Sequence, residues 1–350
     1  MNNASPNSTP DPAPQRKRRP RYSGKNPRNF LHKYKEHGPN VDATTIEKVI
    51  ASGKTPAGMH RPVMVQEVIE ALQLKAGMKG VDCTTGYGGH AREILKLIAP
   101  NGVLLCIDTD PIELPRTEQR LRAEGFSEEN CLVHRMNFAG IMSFSNDTFR
   151  APFNFLLADL GVSSMQLDNP ERGFTYKSNG PLDLRMNPLK GIPASQLLAK
   201  LDERQLTQLI TESDERHAPH LAEKILAKKP NTTLGLAQIV RDTKASQRVT
   251  GEEVEKSIAR VFQALRIEVN GEFEALETLL KHLPTLLIPG GRAAMISFHS
   301  GEDRRVKAAF AEGHRSGAYS EISEIIRPSS DEIRSNSRSS PARVRWVQKA

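Results

Sequence analysis

Asp82, Asp108 and Asp159 each stand where a short apolar run gives way to small and polar residues. After the first of them the chain reads VDCTTGYGGHAREIL, residues 81–95, with glycine at 86, 88 and 89. Glycines cost backbone entropy, so their clustering implies a close approach of the main chain to something. Gly86-x-Gly88-x-x-Ala91 fits the pattern G-x-G-x-x-G/A of a nucleotide-binding turn, and Asp108 follows Gly86 by 22 residues. An acid at that distance can accept hydrogen bonds from ribose hydroxyls. NAD and S-adenosylmethionine both satisfy this arrangement. Asp82 and Asp159 favour the second, since an ammonium and a sulfonium are stabilised by nearby carboxylates and a pyrophosphate is repelled. Asp159 is also the candidate catalytic residue. An exocyclic amine is a poor nucleophile until acceptors draw on its protons, and Asp159 with the carbonyls after it would be such acceptors. Its plainer role would be a helix cap or an ion-pair partner.

The elements that must position these residues alternate. KGVDCT, GVLLCIDTD, NCLVHRMNF and FNFLLADLGVSS are strand-like, and GHAREILKLIA repeats apolar residues at helical spacing. PIELPRTEQRLRAEG reads as a weak helix that Pro115 would break or kink. Strands alternating with helices imply a parallel sheet covered on both faces. From about Met165 to Asn270 the strands give way to consecutive helical segments, one with Ile258, Val261, Phe262 and Leu265 on one face. GGRAAMISFHS and ARVRWVQKA return to strand. The expected organisation is a basic arm at 1–55, an α/β domain at 56–164 and 271–350, and a helical insert at 165–270.

Several stretches resemble one family. They are HRPVMVQEVIEAL, the glycine turn, IDTDP, LLADLGVSSMQLDNPERGFTYKSNGPLDLRMNP, ARVFQALRIEVNGE and GGRAAMISFHSGEDRRVK. Together they resemble the ribosomal RNA small subunit methyltransferase H, or MraW, family over roughly residues 60–345. The resemblance implies a Rossmann-like, seven-stranded class I methyltransferase sheet with an all-helical insert. It implies S-adenosylmethionine-dependent N4-methylation of a cytidine in 16S rRNA at the decoding centre, on free RNA or the small subunit, in the cytoplasm. Cofactor contacts are implied at Gly88, Gly89, His90, Asp108, Phe138, Asp159 and Gln166. Tyr87 departs from the arginine common in the family at that position. For the RNA, the block after the fourth strand offers Ser163, Ser164, Arg172, Phe174 and Arg185, a mixture of cations, hydroxyls and a stacking face suited to an unstacked base. No metal is expected, and a homodimer is compatible with the sequence.

Composition bounds the rest. No run of 18 apolar residues exists, which argues against a membrane span. Cys83, Cys106 and Cys131, an odd and sparse set, argue against a disulfide framework. The net charge is +8, and residues 1–55 carry eleven Lys and Arg against four acids. A basic arm ahead of a near-neutral body is expected to meet a polyanion.

Overall fold

The computed structural model describes residues 62–144 and 152–350, so the expectations for the basic arm lie outside the described residues. Seven strands form one sheet: β1 (Lys79–Asp82), β2 (Val103–Asp108), β3 (Cys131–Arg135), β4 (Phe153–Asp159), β5 (Leu287–Ser297), β6 (Tyr319–Ile322) and β7 (Arg343–Lys349). Their order is β3-β2-β1-β4-β5-β7-β6. The first five pair in parallel, and β7 runs antiparallel to both neighbours. β1 therefore lies at the switch point, with β2 leaving to one side and β4 pairing on the other. In such sheets a crevice opens outside the carboxyl ends of the central strands.

Period-two alternation divides the strands between two cores. Val81, Leu105, Ile107, Leu156, Ala158 and Met295 face one way, against the apolar side of the helix Glu272–Leu286. Leu104, Cys106, Phe155, Leu157 and Ile296 face the other, against α1 (Val65–Leu72) and α2 (Gly89–Ile98). All three cysteines are buried and unbridged. After β2 comes α3 (Glu113–Ala123), unbroken by Pro115. That proline falls in the first turn, where its missing N–H has no intrahelical acceptor to lose.

Between β4 and β5 the chain runs through consecutive helices, most of which, with the loop residues Phe174, Leu182 and Leu184, build a third core. The helices are α4 (Ser164–Asp168), α5 (Ala194–Leu198), α6 (Glu203–Glu212), α7 (Ala218–Lys228), α8 (Thr233–Ser246) and α9 (Glu252–Asn270), followed by α10 (Glu272–Leu286), whose apolar side returns to the sheet core. Leu206, Ile210, Leu221, Ile225, Leu236, Val240, Ile258 and Val261 meet there at under 1% exposure. A buried ion pair, Lys244 Nζ to Glu215 at 2.6 Å, ties α8 to the loop before α7. α11 (Ser300–Arg315) and α12 (Ser330–Ser335) complete the fold.

Two expectations of the strand pattern change. β5 begins at Leu287, ahead of Gly290 and Gly291, which therefore lie inside the strand. β6 was not foreseen: it is four residues long at the sheet edge, with three of them exposed, so it carries no alternating apolar signal.

Candidate active site

The glycine turn is shaped by contacts on both of its sides. Gly88 caps α2 with φ +85°, a conformation that side chains rarely adopt, and a Cβ there would lie 2.7 Å from Thr117 Cγ2. A Cβ on Gly89 would press on Pro62 at 3.0 Å. The Gly86 amide donates to Asp108 Oδ2 at 2.8 Å, and its carbonyl accepts the Thr117 hydroxyl at 2.5 Å. Asp108 Oδ1 accepts the Asp110 amide at 2.9 Å. One carboxylate thus fixes two turns and keeps a lone pair on each oxygen for a ligand. Burial raises the Asp108 pKa. Beside the turn, the Arg120 guanidinium lies 3.7 Å over the Tyr87 ring and donates to the Tyr87 carbonyl at 3.4 Å. A cation from α3 thereby reaches the Tyr87 position.

At the end of β4 the Asp159 amide donates to Thr84 Oγ1 at 2.6 Å, joining this strand to the turn after β1. Asp159 Oδ2 is 3.6 Å from His90 Nδ1, and His90 Nε2 is 2.9 Å from the Val63 carbonyl. Burial lowers the His90 pKa to about 4, so the ring is neutral near pH 7. A neutral ring must carry its proton on Nε2 to serve Val63, which leaves Nδ1 as a lone pair and the contact with Asp159 short of an ion pair. Asp159 Oδ1 is buried and has no hydrogen-bond partner among the described residues. Burial, then the charges of Asp82 and Glu302, push the Asp159 carboxyl well above its usual range. Asp82, 1% exposed, is raised to about 7, chiefly by burial.

Except for Asp82, which is buried away from it, and Gly88, Thr117 and Arg120, these residues line one cleft of about 1130 Å³. Thr84, Gly86, Gly89, His90, Asp108, Phe138, Asp159 and Gln166 line it from the sheet side, and α9, α10 and the loop at 186–191 line it from the helical side. Asp108, Asp110, Glu113 and Asp159 are among its acidic lining residues, and Arg135, Lys177, Lys190 and Arg338 among its basic ones. Carboxylates suit a cationic small molecule, and cations suit a polyanion. Among the described residues no cluster of side chains could hold a metal ion. No helix among them is long and apolar enough to cross a membrane.

The model of the MraW methylase family matches residues 57–350. The chain belongs to that family. Ribosomal RNA small subunit methyltransferase H 2 of Alkaliphilus metalliredigens is 46% identical over 345 residues, covering 96% of this chain and 98% of its own. Ribosomal RNA small subunit methyltransferase H 1 of Lachnoclostridium phytofermentans is 44% identical over 351 residues, covering 98% and 95%. The ribosomal RNA small subunit methyltransferase H of Acidobacterium capsulatum is 38% identical over 298 residues, covering 83% of this chain and 98% of its own. The basic arm thus lies ahead of the family model, yet the first two relatives align across most of it.

In this MraW-family methyltransferase the cleft gathers most, not all, of the expected contacts. Gly88 is not among its lining residues; it faces Thr117 and Leu121 of α3. Gln166 reaches the cleft, but its side chain is already engaged. Nε2 donates to Asp110 Oδ2 at 2.8 Å and Oε1 accepts the Ser163 amide at 3.0 Å. Ser163 lines the cleft as well, with its hydroxyl capping α4 at the Gln166 amide, 3.3 Å away. Ser164 is the first residue of α4.

Arg172 and Phe174 are not RNA-facing. Arg172 is 8% exposed, pairs with Asp110 at 2.9 Å and donates to the carbonyls of Arg185 and Met186. Phe174 is 5% exposed inside the helical core. Arg185 is partly exposed, but its guanidinium is held by both oxygens of Asp183 and does not line the cleft.

Asp110 was missed from the sequence. Its signal is the Asp-x-Asp that closes β2, where the second acid's amide returns to the first, an Asx turn.

Proposed function

We propose that this chain transfers a methyl group to the exocyclic N4 of a cytidine in the 16S RNA of the small ribosomal subunit, at the decoding centre. S-adenosylmethionine is the methyl donor, and the residues present fit it. Asp108 has free lone pairs for a ribose, and Phe138 on the cleft wall offers a flat face to an adenine. Asp159, which lines the cleft, favours an ammonium and a sulfonium over the pyrophosphate of NAD, whereas Asp82 is buried and does not line it. When bound, the donor supplies an electrophilic methyl group whose departure leaves a neutral thioether.

The observation that carries the reading is the buried, unpartnered Oδ1 of Asp159. Leaving such an atom without a hydrogen bond costs about 1–3 kcal/mol, and an amine N–H would satisfy it. The N4 lone pair of cytosine is delocalised into its ring. Accepting a hydrogen bond from one N4–H at Oδ1 draws electron density onto nitrogen and fixes its direction. Nitrogen then bonds to the methyl carbon as the carbon–sulfur bond breaks toward sulfur. The methylated nitrogen, now cationic, loses its extra proton to Asp159 or to water. Thr84, bonded to the Asp159 backbone, holds that strand end in place. Positioning of this kind supplies much of the acceleration in an in-line displacement. The relatives named above are small-subunit RNA methyltransferases, which supports the substrate class.

The test is mass spectrometry of small-subunit RNA digested after incubation with the enzyme and S-adenosylmethionine. The expected product is N4-methylcytidine at one position, lost with Asp159→Ala. A methyl group on another atom, or wild-type turnover by that variant, would overturn the reading.

A further inference from the structure

Leu189 is the outlier among apolar side chains. It is 74% exposed, while the next most exposed large hydrophobic described, Met142, stands at 47%. Single exposed leucines are ordinary on protein surfaces; this one is distinguished by its place and its support. Met186, Asn187, Lys190 and Gly191, on either side of it, line the cleft, and Leu189 itself does not. The loop that carries it is braced at several points. The Leu189 amide donates to Asn187 Oδ1 at 3.0 Å and the Lys190 amide to the Asn187 carbonyl at 3.1 Å. Arg185 reaches the Gly191 carbonyl at 3.3 Å. The Met186 amide donates to Asn270 Oδ1 of α9 at 2.7 Å, and buried Arg172 holds the Met186 carbonyl at 2.7 Å. A rigid loop therefore presents a bare apolar side chain, with a lysine beside it, at the edge of the substrate cleft.

We propose that Leu189 is an unstacking wedge that enters the gap left in the RNA stack when the target cytidine turns into the cleft. This rests on the reading above that the substrate is a cytidine in RNA. The acceptor Asp159 Oδ1 is buried, so N4 cannot reach it while the base is stacked or paired. Taking a base out of the stack costs a few kcal/mol, least where the base is already single-stranded. Apolar side chains inserted between base steps offset that cost by covering the exposed faces. Lys190, next in sequence and exposed, is placed to meet a phosphate of the same step.

The test compares the wild type, Leu189→Ala and Leu189→Met on two RNAs of small-subunit sequence. One is a hairpin that pairs the target cytidine, and the other a single strand that leaves it free. Leu189→Ala is expected to lower kcat/KM on the hairpin at least tenfold and to stay within twofold of wild type on the single strand. Leu189→Met should retain most of the hairpin activity, since the wedge needs apolar bulk rather than a particular shape. Equal activity of Leu189→Ala and wild type on the hairpin would overturn the wedge alone. So would an equal fall on both RNAs, which would mark a general substrate contact. Where the wild type methylates neither RNA, the same three proteins are compared on the isolated small subunit: an unchanged rate for Leu189→Ala there would overturn the wedge, and no methylation by the wild type there would overturn the substrate reading itself, and the wedge with it.

Discussion

The Gly86 amide and the Asp108 carboxylate, 2.8 Å apart, make the turn after β1 and the tip of β2 a single unit. Asp108→Ala removes the ligand acceptor and at the same time frees the Gly86 and Asp110 amides. We expect S-adenosylmethionine to bind more weakly by about 1–3 kcal/mol, the cost of leaving buried polar groups unpaired. Isothermal calorimetry reads this directly, and unchanged affinity would remove Asp108 from the binding site.

Gly88 and Gly125 separate backbone strain from crowding. Both have positive φ, at +85° and +94°, but only Gly88 has a neighbour that a Cβ would strike. Alanine at Gly125 should cost about 1–2 kcal/mol from the backbone alone. Alanine at Gly88 should cost more, since Thr117 must also move. Urea unfolding of the two variants gives the comparison, and equal losses would mean that α3 yields freely.

Burial, opposed by the Thr84 amide and aided by the charge of Asp108, holds Asp82 at about 7, well above the usual carboxylate range. Below about pH 4 the group is protonated whether the chain is folded or not, and its burial carries no charge penalty. Between there and pH 7 the folded chain keeps a proton that the unfolded chain releases, so stability falls as pH rises and the loss is complete above pH 7. The full effect is about 4 kcal/mol. Asp82→Asn should therefore gain stability relative to wild type between pH 4 and pH 8. Parallel unfolding profiles for the two proteins would contradict the burial of an ionisable Asp82.

Arg172→Ala should damage stability rather than RNA binding. It leaves the buried Asp110 carboxylate with Gln166 and two backbone amides but no counter-charge. Breaking a buried pair from one side costs about 3–5 kcal/mol. The salt dependence of RNA affinity should stay as in wild type. A normal unfolding midpoint with a shallower salt slope would return Arg172 to the RNA surface.

Much of this site was legible because the signals were local. The apolar run ending at Asp108 and the glycines of one turn lie within a few residues of the geometry they encode. So does the alternation that placed β1, β2 and β4. What was not legible depends on distant partners. Arg172 has the composition of a surface cation, and only Asp110, 62 residues away, makes it a buried one. Phe174 looked like a stacking face until the helical core closed over it. His90 and Phe138 came from resemblance alone, since the surroundings that matter to each come from other elements. Pro115 was misjudged because its effect depends on which turn of α3 it occupies, and helix starts are blurred in sequence.

The central claim is that the cofactor lies along the carboxyl ends of β1, β2 and β4. A crystal structure with S-adenosylmethionine bound tests it most directly. The expected result places the ribose hydroxyls on Asp108, the adenine beside Phe138, and the methyl group directed to the space before Asp159. Density for the cofactor elsewhere, or with its ribose turned away from Asp108, would contradict it.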